Sequence, residues 1–181
     1  MSNGDGANAI VPSLPGVGDI VQAYDQTVWT PIIDRHYAFV AQAQGLRNLI
    51  PNLVQAYGRI RSFKGRKVIL HFLLPHVRCV DEVFALGLVA LGDRSRDVRE
   101  DALALIAYAL DERALPALAA HARHRDPRDR ESAEAAMAAI RAKNHHLFLD
   151  RDHSGNANWV VQDACGDTRN PARSDLPGAV Q

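Results

Sequence analysis

VDEVFALGLVALGDRSRDVREDALALIAYALDERALPALAAHARHRDPRDRESAEAAMAAIRAKN, residues Val80 to Asn144, decides how this chain folds. Val80, Val83, Phe84, Gly87, Leu88 and Leu91 recur at i, i+3, i+4, i+7, i+8 and i+11, one face of a 3.6-residue period. Leu86, Val89 and Ala90 are apolar as well, so this helix is expected to be greasy nearly all round and central. Gly92 supplies a stop. Asp97 and Glu100 have capping-box spacing ahead of a second helix, whose stripe is Val98, Ala102, Leu105, Ile106 and Ala109.

A second pair repeats the plan. Asp111 is placed to cap a helix carrying Leu115, Leu118, Ala119 and Ala122, with Pro116 in its first turns, where a missing N–H costs little. Asp126-Pro127 joins a capping acceptor to a proline at the first helical position. Behind it, Ala133, Ala136, Met137 and Ile140 repeat the spacing of Ala102, Leu105, Ile106 and Ala109, 31 residues on. Two-helix units recurring at such a period cannot bury their apolar faces alone and stack on one another.

GDRSRDVREDALALIAYAL followed by DERALPALAAHARHRDPRDRESAEAAMAAI resembles HEAT repeats of the HEAT/armadillo type. The resemblance rests on Asp97 and Arg99 of an intra-repeat turn, on Leu115-Pro116 near the start of a first helix, and on Ala/Leu-rich second helices. It covers about two repeats. It implies an all-α, right-handed α-solenoid, a stack of HEAT-like helical hairpins. It also implies a scaffold for protein partners, less often nucleic acid and seldom an active site. Small bacterial HEAT-like proteins also serve as partners or antagonists of toxins, which gives an immunity-like inhibitor as one form of the role.

Outward from the core stretch, residues 1–16 are rich in Gly, Asn, Ser and Pro and are expected to form a flexible arm. Trp29, Ile32, Ile33, His36, Tyr37 and Val40 make one helical stripe, and Leu46, Leu49, Ile50, Leu53, Val54 and Tyr57 another. GRIRSFKG (58–65) is a basic connector, and Pro75 should shorten the helix that follows. These upstream helices read as a cap with divergent repeats, within a repeat domain spanning 17–144. Beyond Asn144, Leu147 and Leu149, then Trp159 and Val161, alternate around the turn-forming DRDHSGNAN, which predicts a β-hairpin over 145–162 anchored by Trp159. Residues 163–181 read as a flexible tail.

Lys+Arg and Asp+Glu are 21 each, which disfavours a generic nucleic-acid or anionic-membrane binder. Two cysteines, Cys79 and Cys165, are too few for a disulfide framework and read as free thiols. With no classical leader and no apolar run of membrane-spanning length, the expectation is a cytoplasmic chain with no membrane partner.

Asp150, Asp152, Ser154 and Asn156 match the opening of an EF-hand calcium loop, in which successive oxygens wrap a hard cation. Position 12, normally a bidentate Glu, is Val161, so the stretch reads as a polar turn. His121, His124, His145, His146 and His153 lack metalloprotein spacing and read as structural or surface groups. Arg94, Arg96, Arg99, Arg123, Arg125, Arg128 and Arg130 cluster around two inter-helix turns, interleaved with Asp93, Asp97, Glu100, Asp101, Asp126, Asp129 and Glu131. Opposite charges so close mostly cancel, which predicts helix caps and salt-bridged ladders between repeats; the alternative is that these seven arginines form a partner-binding edge. No nucleophile-elbow, Walker or dinucleotide motif occurs, so no catalytic residue and no cofactor are expected. A non-catalytic protein-binding module therefore leads. The alternative is a nucleic-acid module resembling the HEAT-like DNA-alkylation repair glycosylases.

Overall fold

The computed structural model describes residues 13–165, so most of the expected arm and tail lies outside the described residues. Among the described residues the fold is all-α, with eight α-helices, three short 3-10 turns and no strand. No described helix is long and apolar enough to cross a membrane. The chain divides into two compact units, Met1–Ile69 and Leu70–Gln181, the boundary falling within one helix.

In the first unit, α1 (Val17–Tyr24) packs on α2 (Trp29–Gln42) and α3 (Leu46–Tyr57). The α3 stripe supplies Leu49, Ile50, Leu53 and Tyr57 to the core around Ile20 and Tyr24, whereas of the α2 stripe only Ile32 and His36 are buried; Phe39, outside that stripe, joins them, and Trp29 and Tyr37 are 40% and 59% exposed. The Tyr24 hydroxyl lies 2.6 Å from Nδ1 of buried His36, which satisfies two polar groups where water does not reach. Burial pushes the Tyr24 phenol well above its usual range, so it stays protonated. Residues 13–16 are held as well: the Asn52 amide donates to Pro15 O, and that of Gln42 to Ser13 O.

The unit boundary lies in α4 (Phe63–Leu73), which ends where Pro75 forces a 3-10 turn, Leu74–His76. In the second unit, α5 (Asp81–Ala90) packs on α6 (Arg96–Ala109), and α6 on α8 (Pro127–Arg141). The short α7 (Leu115–His121) packs on α8. The expectation that α5 is central fails, because Val89 is 69% exposed. The centre is α6: Val98, Ala102, Leu103, Leu105 and Ile106 are all at 0% exposure. It takes that place because its neighbours are cut down to receive it. The inward face of α8 is built of Ala133, Ala136, Ala139 and Ile140, and α5 presents Gly87. A Cβ on Gly87 would sit 2.6 Å from Leu105 Cδ2 and 3.0 Å from Ile106 Cδ1.

Caps follow the sequence in part. Asp111 accepts from Arg113 N, and Asp126 from Arg128 N, at the predicted starts. Asp97 and Glu100 form no capping box; α6 begins one residue after Ser95, whose N–H is held by Asp93 Oδ1 at 2.8 Å. Asp97 is therefore already inside the helix, where its charge favours the N-terminal dipole instead.

The predicted β-hairpin over 145–162 is not formed. Asn144 caps a 3-10 turn, His145–Phe148, and no described residue beyond it pairs as a strand. Valine at position 87 is expected to destabilise the fold by about 1–3 kcal/mol through overpacking. A urea titration reads this as a lowered midpoint for Gly87→Val, with Ala85→Val, at an exposed site on the same helix, close to wild type.

Candidate functional site

The arginine-rich turns at the N-terminal ends of α6 and α8 meet around one buried carboxylate. Asp129, at 0% exposure, receives the Arg99 guanidinium: Nη2 lies 2.6 Å from Oδ2, and Nε lies 3.2 Å from both oxygens. His124 Nδ1 lies 2.9 Å from Oδ2, and its ring stacks on that of His121 with centroids 5.2 Å apart. Burial alone would raise the Asp129 pKa. The Arg99 hydrogen bonds and charge, helped by both histidines, overcome this and hold it below the ordinary carboxylate range. Burial pushes His121 the other way, toward the neutral form.

Arginine at the fourth helical position recurs. Arg99 Nη1 donates to the carbonyl of Asp93, six residues back, at 2.9 Å. Arg130 Nη1 does the same to His124 O at 3.0 Å, and Arg66 Nη1, in the first unit, to Ile60 O at 2.8 Å. In each case a guanidinium ties the loop before a helix to that helix, the interval being 33 and then 31 residues. Pairs that link segments about one repeat apart are spaced alike. Arg99 to Asp129 and Arg78 Nε to Tyr108 O span 30 residues; Ser132 Oγ to Glu100 and Arg113 to Asp81 span 32.

This sorting splits the predicted arginine set. Arg99 and Arg130 are consumed in holding loops and helices together. Arg96 is half-buried, 3.7 Å from Asp97. Arg94, Arg123, Arg125 and Arg128 are exposed and leave an outward guanidinium rim on the same turns. Along α8 and the segment after it, a shallow groove of about 400 Å³ is lined by Glu131, Glu134, Ala135, Ala138, Leu147, Arg151 and His153.

Asp150 does not present its oxygens outward. Oδ1 accepts from Ser154 N and Oγ, and Oδ2 from Gly155 N at 2.7 Å; the Ser154 Oγ bond, first among the causes, holds Asp150 below its usual pKa. Asn156 N bonds Ser154 Oγ, while Asp152 is exposed. The 150–156 stretch is a self-capped turn. Among the described residues no three His, Cys, Asp or Glu are grouped to hold a metal ion.

Sequence reasoning missed how the last described segment is fastened. His145 Nε2 lies 2.9 Å from Trp159 O, and Trp159 N donates to His146 Nδ1 at 2.9 Å, so two imidazoles bind one residue's backbone where a partner strand was expected. The indole packs against Tyr108 of α6 and against His145 and Phe148, so it holds an irregular segment and not the hairpin it was expected to anchor. Arg78 lies 4.0 Å from the Tyr108 ring centroid and 3.6 Å from Asp163. Cys79 and Cys165 form a disulfide across a sequence separation of 86, which corrects the free-thiol reading. Their distance in sequence hid the pairing, because only the fold sets the Cα separation of 5.6 Å. Comparison with protein-family models, with curated proteins and with solved structures finds no match to this chain.

Removing the Asp129 carboxylate leaves Arg99 buried without its counter-ion. Asp129→Ala is expected to cost about 3–5 kcal/mol in chemical denaturation, and more than Arg128→Ala on the exposed rim. Burial lowers His145 from 6.5 to about 4. Between those values the unfolded chain binds a proton that the folded chain refuses, so stability is full above pH 6.5 and falls as the pH drops toward 4. Urea midpoints at pH 7 and 4.5 should therefore differ more for wild type than for His145→Gln.

Proposed function

We propose that this chain is a non-catalytic helical-repeat module, a HEAT-like α-solenoid segment, that binds a protein partner as scaffold or inhibitor. The observation that carries the reading is the set of linking contacts at 30 to 32 residues. Stacked copies of one unit bring equivalent positions together at the repeat length, and an irregular bundle has no reason to do so. The recurrence of the loop-holding arginine at Arg66, Arg99 and Arg130 supports the same unit and extends it to α3 and α4.

Binding is the use such a stack serves. The inner guanidiniums hold its register, and the outer ones, Arg123, Arg125 and Arg128, offer forked, charge-assisted hydrogen bonds to partner carboxylates. The disulfide favours an oxidising compartment over the cytoplasm expected from the lack of a classical leader, since such bridges are rare in reducing cell interiors.

Cross-linking in the native host with identification by mass spectrometry is expected to give links from 94–96 and 123–128 to another protein. Arg123→Glu/Arg125→Glu/Arg128→Glu should abolish them while leaving the circular dichroism spectrum unchanged. Recovery of self-linked chain alone would sink the reading.

A further inference from the structure

We propose that Val28, Trp29 and Phe63, flanked by Arg61 and Lys64, form a docking knuckle for a short acidic segment of a partner protein carrying one large apolar side chain. This rests on the protein-binding reading but uses a different surface, in the first unit.

Three large apolar side chains lie open there, Val28 at 56%, Trp29 at 40% and Phe63 at 38% exposure. Trp29 and Phe63 meet edge to face, with centroids 6.4 Å apart and planes at 85°. The Lys64 ammonium sits 5.6 Å from the indole centroid and 6.0 Å from that of Phe63. The cluster is built rather than incidental. Ser62 N donates to Asp25 Oδ1 and Ser62 Oγ to Gln26 O, both at 2.6 Å, and Lys64 Nζ donates to Thr27 O. A Cβ on Gly65 would run into the Tyr24 carbonyl, so only glycine lets the start of α4 approach the end of α1 this closely. The turn at 25–29 and the start of α4 therefore move as one piece, and a ligand has little ordering cost to meet.

Charge decides the partner's sign. Residues 13–69 hold seven Lys/Arg against three Asp, an excess that the neutral total conceals, and 59–67 hold five cations and no acid. Asp25, whose turn leads into α2, is occupied by Ser62 N and by Arg61 at 3.5 Å. The Arg61 side chain is 87% exposed. An apolar knuckle in a positive field fits a ligand with the inverse pattern, an apolar anchor between carboxylates. Single-stranded nucleic acid fits less well, because bases stack on open, parallel ring faces, whereas these rings are perpendicular and Lys64 overlies both of them.

The test is selection of a displayed library of random short peptides on the full chain, followed by titration of a synthetic winner monitored by tryptophan emission. Expected are sequences with Asp or Glu on both sides of Leu, Phe or Trp, and affinity that falls with added salt. Arg61→Glu and Trp29→Ala should each weaken binding by about tenfold or more without changing the circular dichroism spectrum. The Arg123→Glu/Arg125→Glu/Arg128→Glu chain should bind the peptide like wild type, so this surface and the rim stand or fall separately. Selection without an acidic pattern, or equal binding by the two knuckle variants, overturns the proposal. So does Trp29-dependent binding of oligo-dT or of phosphatidylserine vesicles in place of peptide.

Discussion

A guanidinium and a carboxylate withdrawn from water together, Arg99 and Asp129, fix the second unit. Neither charge tolerates burial alone, so α6 and α8 hold the one alignment in which the fork of Arg99 meets both oxygens of Asp129. His124 and the Asp93 carbonyl complete the site from the two loops, which ties each loop to the same alignment. Along the same helices, Ser132 meets Glu100. Arg123, Arg125 and Arg128 lie exposed on the turn that carries His124.

Side chains, not strands, fasten the last described segment. The paired imidazoles of His145 and His146 take up the N–H and C=O of Trp159, and the indole fills the apolar seat beside Tyr108 and Phe148. Arg78 and the Cys79–Cys165 bridge hold the same segment further along. Backbone groups of an irregular segment need partners as much as those of a strand do, and here residues distant in sequence provide them.

Neutral total charge concealed two unequal halves. The first unit is basic and carries open aromatics, while the acidic residues concentrate beyond it. A whole-chain charge therefore excludes little about local partners, because fields act over roughly a Debye length, about 10 Å at ~0.1 M salt, and not over a molecule.

Helix positions and most of the stripes of α3 and α6 followed from the sequence, whereas Trp29 and Tyr37 of the expected α2 stripe are exposed. Apolar spacing is a local property, and Leu105, Ile106 and Leu118 are fully buried where periodicity put them. Pro75, Asp111 and Asp126 marked ends and starts for equally local reasons. The hairpin was misread because alternation over a few residues cannot register a capped 3-10 turn or an aspartate that folds its loop onto itself. Which arginines are structural and which face outward, that α6 and not α5 is central, and that Cys79 meets Cys165 were decided only in three dimensions. Each depends on which distant residues share a space, and a carboxylate 30 positions away, a Gly87-sized gap 18 away or a second sulfur 86 away leaves no mark on the local pattern.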